Sequence, residues 1–269
     1  MENSIDTFFK PKKIAIIGGT GGMGRILVNN LKNISKVMIC SRKLEKAQLI
    51  AKQLGDNIGS GLLTDCRNAD IVIVSVPIEH ILENCIRAVK IMKQDSLLID
   101  LSSVKSGLVN KLEIPKSIEY ISAHFLFGPQ GNFAGENIIL IPIKGNKWLP
   151  KIKNLFEKLG SNVFIISKNE HDITMSKMQS LFHFTILCMV IAMAKSNIEP
   201  NFYTRSFKMM IPNIKNLQNN LNVIFEIQKN NPFSNKEREF FAALVNEISN
   251  LEHEEFEKVV RKSFENLKF

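Results

Sequence analysis

Apolar residues along this chain follow two different rhythms. Between Lys13 and Ser167 they fall in short, β-branched runs separated by amphipathic stretches. Lys13–Ile17 (KIAII), Val37–Cys40, Asp70–Val76 (DIVIVSV) and Leu97–Leu101 (LLIDL) read as strands covered on both faces, the mark of a buried parallel sheet. Tyr120–Ala123, Ile138–Ile141 and Val163–Ile166 are further short runs of this kind. RILVNNLKN from Arg25, Lys43–Leu54 and Ile78–Met92 read as helices; in the last, Ile78, Ile81, Leu82, Cys85 and Val89 recur at helical spacing. Strands alternating with helices predict an α/β fold built on a doubly wound parallel sheet.

After Ser167 the alternation stops. Glu170 to Lys268 reads as a series of helices, interrupted by Pro200, Pro212 and the turn at Asn230–Pro232. The expected organisation is therefore an α/β domain over residues 1–168 and an all-helical domain over 169–269. Leu181–Ala194 is apolar nearly all round, so it must be buried within its own domain or against a partner chain.

Composition adds limits. Of 269 residues, 45% are hydrophobic and 23% charged, which argues against disorder. The Leu181–Ala194 run carries His183 and Thr185 and is shorter than the roughly 18 residues of a membrane helix, so no membrane association is expected. The opening MENSIDTFFKPKK has two acids and no apolar core, unlike a secretory signal. Cys40, Cys66, Cys85 and Cys188 are scattered without metal-ligand spacing, so free thiols in a cytoplasmic, reducing compartment and no metal site are expected. The net charge of +9 is spread along the chain without a basic run or interleaved aromatics. That speaks against nucleic acid and suits an anionic substrate and cofactor.

GGTGGMG, Gly18–Gly24, follows the first strand and opens a helix. Gly19, Gly21 and Gly24 fit G-x-G-x-x-G: one glycine for the tight turn, one for close approach to a pyrophosphate, one for helix–strand packing. The helix N-terminus adds free N–H groups and partial positive charge. Gly19, Thr20, Gly21, Gly22, Met23 and Gly24 are thus a candidate dinucleotide cradle, with Ser75, Val76 and Pro77 beside it at the third strand's end. A glycine-rich turn without a ligand is the alternative. The second strand ends in Cys40-Ser41-Arg42-Lys43, with no acid before Glu45. An acid there would hold the ribose hydroxyl of NAD; a serine and an arginine suit a 2′-phosphate, favouring NADP. Alternatively, Arg42 and Lys43 simply form a solvated helix start.

Three segments stand where an open α/β sheet places its ligands, beyond strand carboxyl ends: SVPIEH (Ser75–His80), DLSSVKSG (Asp100–Gly107) and HFLFGP (His124–Pro129). A histidine takes a proton near neutral pH, so a catalytic His124 predicts a rate rising with pH through about 6.5. A nearby serine can orient it. A histidine that merely caps a strand end is the alternative. A fourth segment, EHDITMSKMQSLFHF (Glu170–Phe184), puts Met175, Gln179 and His183 four residues apart, on one helical face. His171 lies about 120° round the helix from His183, so the two histidines have different roles. Gln179 and His183 either satisfy each other and the backbone or face a polar cleft.

These motifs, in this order, resemble those of the prephenate dehydrogenases: GGTGGMG, SVPI, D-L-S-S-V-K, H-x-x-F-G-P and E-H-D-x-x-M-x-x-x-Q-x-L-x-H-F. The resemblance implies a Rossmann domain followed by a helical dimerisation domain, hence a homodimer. It implies that His124 is the catalytic base, Ser103 its hydroxyl partner, and His183, Gln179 and Arg205 (in FYTRSFKMM) contacts to the anionic substrate prephenate. The implied reaction is oxidative decarboxylation between the domains, with hydride passing to the nicotinamide of NADP or NAD, as in tyrosine biosynthesis. Phe125 departs from the family's usual proline after the histidine. Arogenate, the aminated analogue, would use the same residues. Another reductase with a helical partner domain would share the glycine loop and SVP but not the last two motifs. A non-catalytic NADP-sensing protein would have no need of His124 and Ser103.

Overall fold

The computed structural model describes residues 4–55 and 57–267. Their contacts divide the chain into two compact units, residues 1–172 and 173–269.

The first unit is built on one eight-stranded sheet. Its strands are β1 (Lys13–Ile17), β2 (Lys36–Cys40), β3 (Ile58–Gly61), β4 (Ile71–Val74), β5 (Ser96–Asp100), β6 (Ile118–Phe125), β7 (Asn137–Lys144) and β8 (Asn162–Ile165). Their order is β3-β2-β1-β4-β5-β6-β7-β8. All pairings are parallel except β6 with β7, so β7 and β8 run against the other six. The apolar runs behave as buried parallel strands do. Ile14 and Ile16 pack into one core layer, and Ala15 and Ile17 into the other. The first layer is closed by helices Gly22–Leu31, Leu44–Leu54 and Leu149–Lys158. The second is closed by Ile78–Val89, through Ile81, Cys85, Ala88 and Val89. Helices on both faces make the sheet doubly wound, as the alternation predicts. β3 is the strand that the apolar pattern does not reveal: IGSG has one large apolar side chain and is held by its backbone to β2.

The second unit is helical among its described residues, through Arg205–Asn219, Leu221–Asn230, Ser234–Ser249 and His253–Asn266. Its central helix departs from the straight α-helix expected. A π-helical turn occupies Ser176–Leu181, so Met175, Gln179 and His183 do not share an unbroken α-helical face. The turn is stabilised by polar partners: Gln228 Nε2 donates to the Ser180 carbonyl at 2.6 Å, and the Ser180 and Ser234 hydroxyls are 2.8 Å apart. Ile186, Leu217 and Ile224 form a small core. Met178, Phe182, Ile191, Phe202, Met209, Phe225, Phe240 and Phe264 stay exposed. The apolar run at Leu181–Ala194 is shorter than a membrane span, but the helix containing it, Lys168–Lys195, has 28 residues. By length and composition alone that helix is long and apolar enough to cross a membrane.

Candidate active site

The carboxyl ends of β1, β2, β4, β5 and β6 lie on one edge of the sheet, and the chemistry-bearing segments follow them. After β1 the backbone turns at Gly18, whose φ of +83° is the left-handed conformation a side chain resists. A Cβ on Gly18 would also sit 2.2 Å from the Ser75 carbonyl oxygen, so the SVP segment packs against this turn. Gly19, to which the sequence assigns the tight turn, lies inside it: the Gly21 N–H donates to the Gly18 carbonyl at 2.9 Å, and Gly18 takes the left-handed conformation that opens it. Gly24 meets its expectation: a Cβ there would lie 2.3 Å from the Gly18 carbonyl oxygen, so only glycine lets the helix start this close to the strand. Helix Gly22–Leu31 begins at Gly21 with no side chain capping it. Its first-turn amides are therefore ready donors for a phosphate. Thr20 Oγ1 and Ser41 Oγ are 3.5 Å apart, which places the end of β2 beside the loop. Arg42 and Lys43 are exposed there. The glycine turn, the uncapped amides and the cationic end of β2 fit a nucleotide phosphate group.

The HFLFGP segment meets the same loop. A Cβ on Gly22 would lie 2.6 Å from Pro129 Cβ, so the turn after β6 rests on the glycine loop. Phe125, where the family usually has proline, is buried and anchors the strand end. Its ring stacks on Phe127 at 5.4 Å and meets Phe133 and Phe156 edge-on. His124, one residue earlier, points to the opposite face of the sheet.

There it joins a buried network that the sequence does not announce. His124 is 3% exposed, and its Nδ1 lies 2.9 Å from His171 Nε2. His171 Nδ1 lies 2.8 Å from Asp172 Oδ1. The Asp172 carboxylate also accepts the backbone N–H groups of Lys105 at 3.1 Å and Ser106 at 2.8 Å. Lys105 is fully buried; its ammonium donates to the Ala123 carbonyl at 2.7 Å and lies 3.6 Å from Asp100 Oδ1. Asp100 accepts the Tyr120 hydroxyl at 2.7 Å and the Ser102 N–H at 2.8 Å. DLSSVK is thus a folded-back turn whose acid and lysine pair beneath β6. Ser103 is half-buried in that turn.

Burial, then the Lys105 ammonium and the second imidazole, push the His124 pKa well below its ordinary 6.5. Burial also lowers His171, against the pull of Asp172. Burial alone would raise Asp172, but its hydrogen bonds from His171, Ser106 and Lys105 prevail and hold it below the usual carboxylate range. At neutral pH the network therefore holds two neutral imidazoles beside an ionised carboxylate. The step expected near pH 6.5 from sequence moves to lower pH.

Gln179, His183 and Arg205 belong to the second unit. His183 is lowered by burial, and its Nδ1 is buried without a hydrogen-bond partner among the described residues. Arg205 is exposed and opens the helix that Thr204 caps. His171 and Asp172 are the residues sequence reasoning undervalued. The HD of EHD is visible, but its pairing with a strand 47 residues earlier is not.

A helix N-terminus set against a glycine turn, with a buried imidazole at a nearby strand end, places the first unit among the nucleotide-binding dehydrogenase folds. Sequence comparison then narrows the class. The profile described as "Prephenate dehydrogenase, nucleotide-binding domain" matches residues 27–165, just over half of the chain, and the chain belongs to that family. The "Probable arogenate/prephenate dehydrogenase" of Methanocaldococcus jannaschii is 29% identical over 267 residues, covering 93% of this chain. The "Prephenate dehydrogenase [NADP(+)]" of Saccharomyces cerevisiae is 24% identical over 207 residues, covering 74% of this chain. The chain spans 60% and 45% of the lengths of these two relatives. The fold also matches the crystal structure of prephenate dehydrogenase from A. aeolicus in complex with hydroxyphenyl propionate and NAD+. The TM-score is 0.72 at 20% identity, over 96% of this chain and 94% of that one.

Proposed function

We propose that this protein oxidises prephenate with a nicotinamide dinucleotide and releases carbon dioxide, the dehydrogenase step of tyrosine biosynthesis. The observation that carries this reading is the seating of the His124 strand end on the glycine loop through Pro129 and Gly22, in a chain of this family. His124 is the base that takes the proton of the ring hydroxyl, and Ser103 supplies an orienting hydroxyl. Arg205, His183 and Gln179 receive the anionic substrate; the buried, unsatisfied His183 Nδ1 is a group that a polar ligand would satisfy. Gly19, Thr20, Gly21, Gly22, Met23 and Gly24 hold the pyrophosphate, with Ser75, Val76 and Pro77 beside them. The nicotinamide accepts the hydride when bound. The chain's own part is to orient the ring, exclude water and take up the proton. Arogenate is the second reading, favoured by the dual name of the M. jannaschii relative. Incubation with either substrate and either dinucleotide tests the proposal: reduced nucleotide is expected with one of the two, and none with either would refute it.

For the cofactor we propose NADP. No acid stands at the end of β2, and exposed Arg42 is available to a 2′-phosphate. NADP is expected to bind more tightly than NAD, and Arg42→Ala to narrow the gap. Titration of both nucleotides checks this; an NAD preference untouched by the substitution contradicts it.

For the assembly we propose a homodimer formed through the helical unit. Among its described residues few of the large apolar side chains are buried, and helix His253–Asn266 buries none of its own. Covering such surface with a second copy removes it from water, as obligate interfaces do. Sedimentation at micromolar concentration is expected to give twice the 30.5 kDa chain mass. A clean monomer contradicts it.

A further inference from the structure

Hydrogen-bond logic along the buried row Asp172–His171–His124 leaves one consistent arrangement of protons. An ionised carboxylate has no proton to give, and Asp172 already accepts two backbone N–H groups. His171 Nδ1, 2.8 Å away, must therefore be the donor in that contact. A neutral imidazole that donates from one nitrogen accepts at the other. His171 Nε2 is thus an acceptor, and His124 Nδ1, 2.9 Å from it, must carry a proton. His124 Nε2 is then left with the lone pair.

We infer that His171 and Asp172 are positioning residues that act through His124, fixing its Nδ1–H tautomer so that Nε2 is the base. The inference rests on the proposed reaction for its catalytic meaning, but the tautomer itself does not. In the proton step the O–H bond of the ring hydroxyl breaks and its proton bonds to His124 Nε2. The released electron pair forms the carbonyl as hydride leaves to the oxidised nicotinamide. The resulting imidazolium faces Lys105, which opposes it, and is supported through His171 by Asp172. Asp100 offsets the lysine. Tyr120, on the same face of β6, stays neutral, because burial and Asp100 raise its pKa well above the ordinary value. The row therefore does two things a lone buried histidine cannot. It chooses which nitrogen is basic, and it places a carboxylate behind the charge that develops.

Three variants and two readouts test this. Nitrogen-15 spectra of the imidazoles, with His124→Asn used to assign the signal, report the tautomer without any turnover. Wild type is expected to show His124 as Nδ1–H. His171→Gln keeps an acceptor for His124 and a donor for Asp172, so it should retain that tautomer and keep turnover within about tenfold. His171→Leu keeps much of the bulk but neither hydrogen bond. It should lose the tautomer bias and on the order of 10²-fold in kcat, with little change in the KM for dinucleotide. Asp172→Asn should shift His124 toward Nε2–H. If its lost backbone contacts prevent folding, the His171 pair decides. An Nε2–H tautomer in wild type overturns the inference, as does equal turnover and tautomer in the Gln and Leu variants. A wild type with the expected tautomer and no turnover of either substrate supports the row and refutes the proposed reaction.

Discussion

His124→Asn is expected to lower turnover by about 10²–10⁴-fold, the usual worth of a general base. The amide can still hydrogen-bond, but it cannot take the proton. Nucleotide affinity should hardly change, because the phosphates rest on the glycine loop and not on β6. The pH profile carries the same information. Burial, Lys105 and His171 depress the His124 pKa well below 6.5, so the base is already neutral in weakly acidic solution. The wild-type rate should rise with pH through this depressed pKa, below 6.5, and be flat above it; the variant should lose the step. If His124 were only a strand-end cap, the variant would melt lower and its folded fraction would stay active. Near-normal turnover from a folded His124→Asn protein would falsify the catalytic role.

Lys105→Met is expected to have the largest effect on stability. Removing one member of a fully buried ion pair leaves Asp100 charged and uncompensated, at a typical cost of about 3–5 kcal/mol. In a protein of this size that lowers Tm by on the order of 10 °C. The double variant Lys105→Met/Asp100→Asn should recover part of the loss, since the orphaned charge goes with it. Thermal melts of the two variants check this; a single variant within a degree or two of wild type would show that Asp100 does not need Lys105 as its counter-ion. The Lys105 ammonium also opposes protonation of His124, so a folded Lys105→Met protein should have its pH step moved upward.

The α/β sheet was legible wherever strands are apolar on both faces. KIAII, DIVIV and LLID declare themselves by composition, and β3 escaped because IGSG has almost no side chain to pack. The direction of β7 was also hidden, since a run of isoleucines reads the same in a parallel or antiparallel pairing. At the site, the glycine loop could be read because its backbone geometry demands specific residues. The row from His124 to Asp172 could not, because a contact between a strand and a helix start far along the chain leaves no local period. Neither could the π turn, whose polar partners at Gln228 and Ser234 are brought to Ser180 only by the folded helices. The resemblance to the family carried His124 and EHD together, but it did not join them.

The reaction itself is tested most directly by measuring carbon dioxide and reduced nucleotide in the same sample of wild-type protein, prephenate and NADP or NAD. The proposed mechanism couples decarboxylation to hydride loss, so the two should appear in equal amounts, with 4-hydroxyphenylpyruvate as the organic product, and both should fall together in His124→Asn. Reduced nucleotide without carbon dioxide, or neither product from prephenate, would contradict the account.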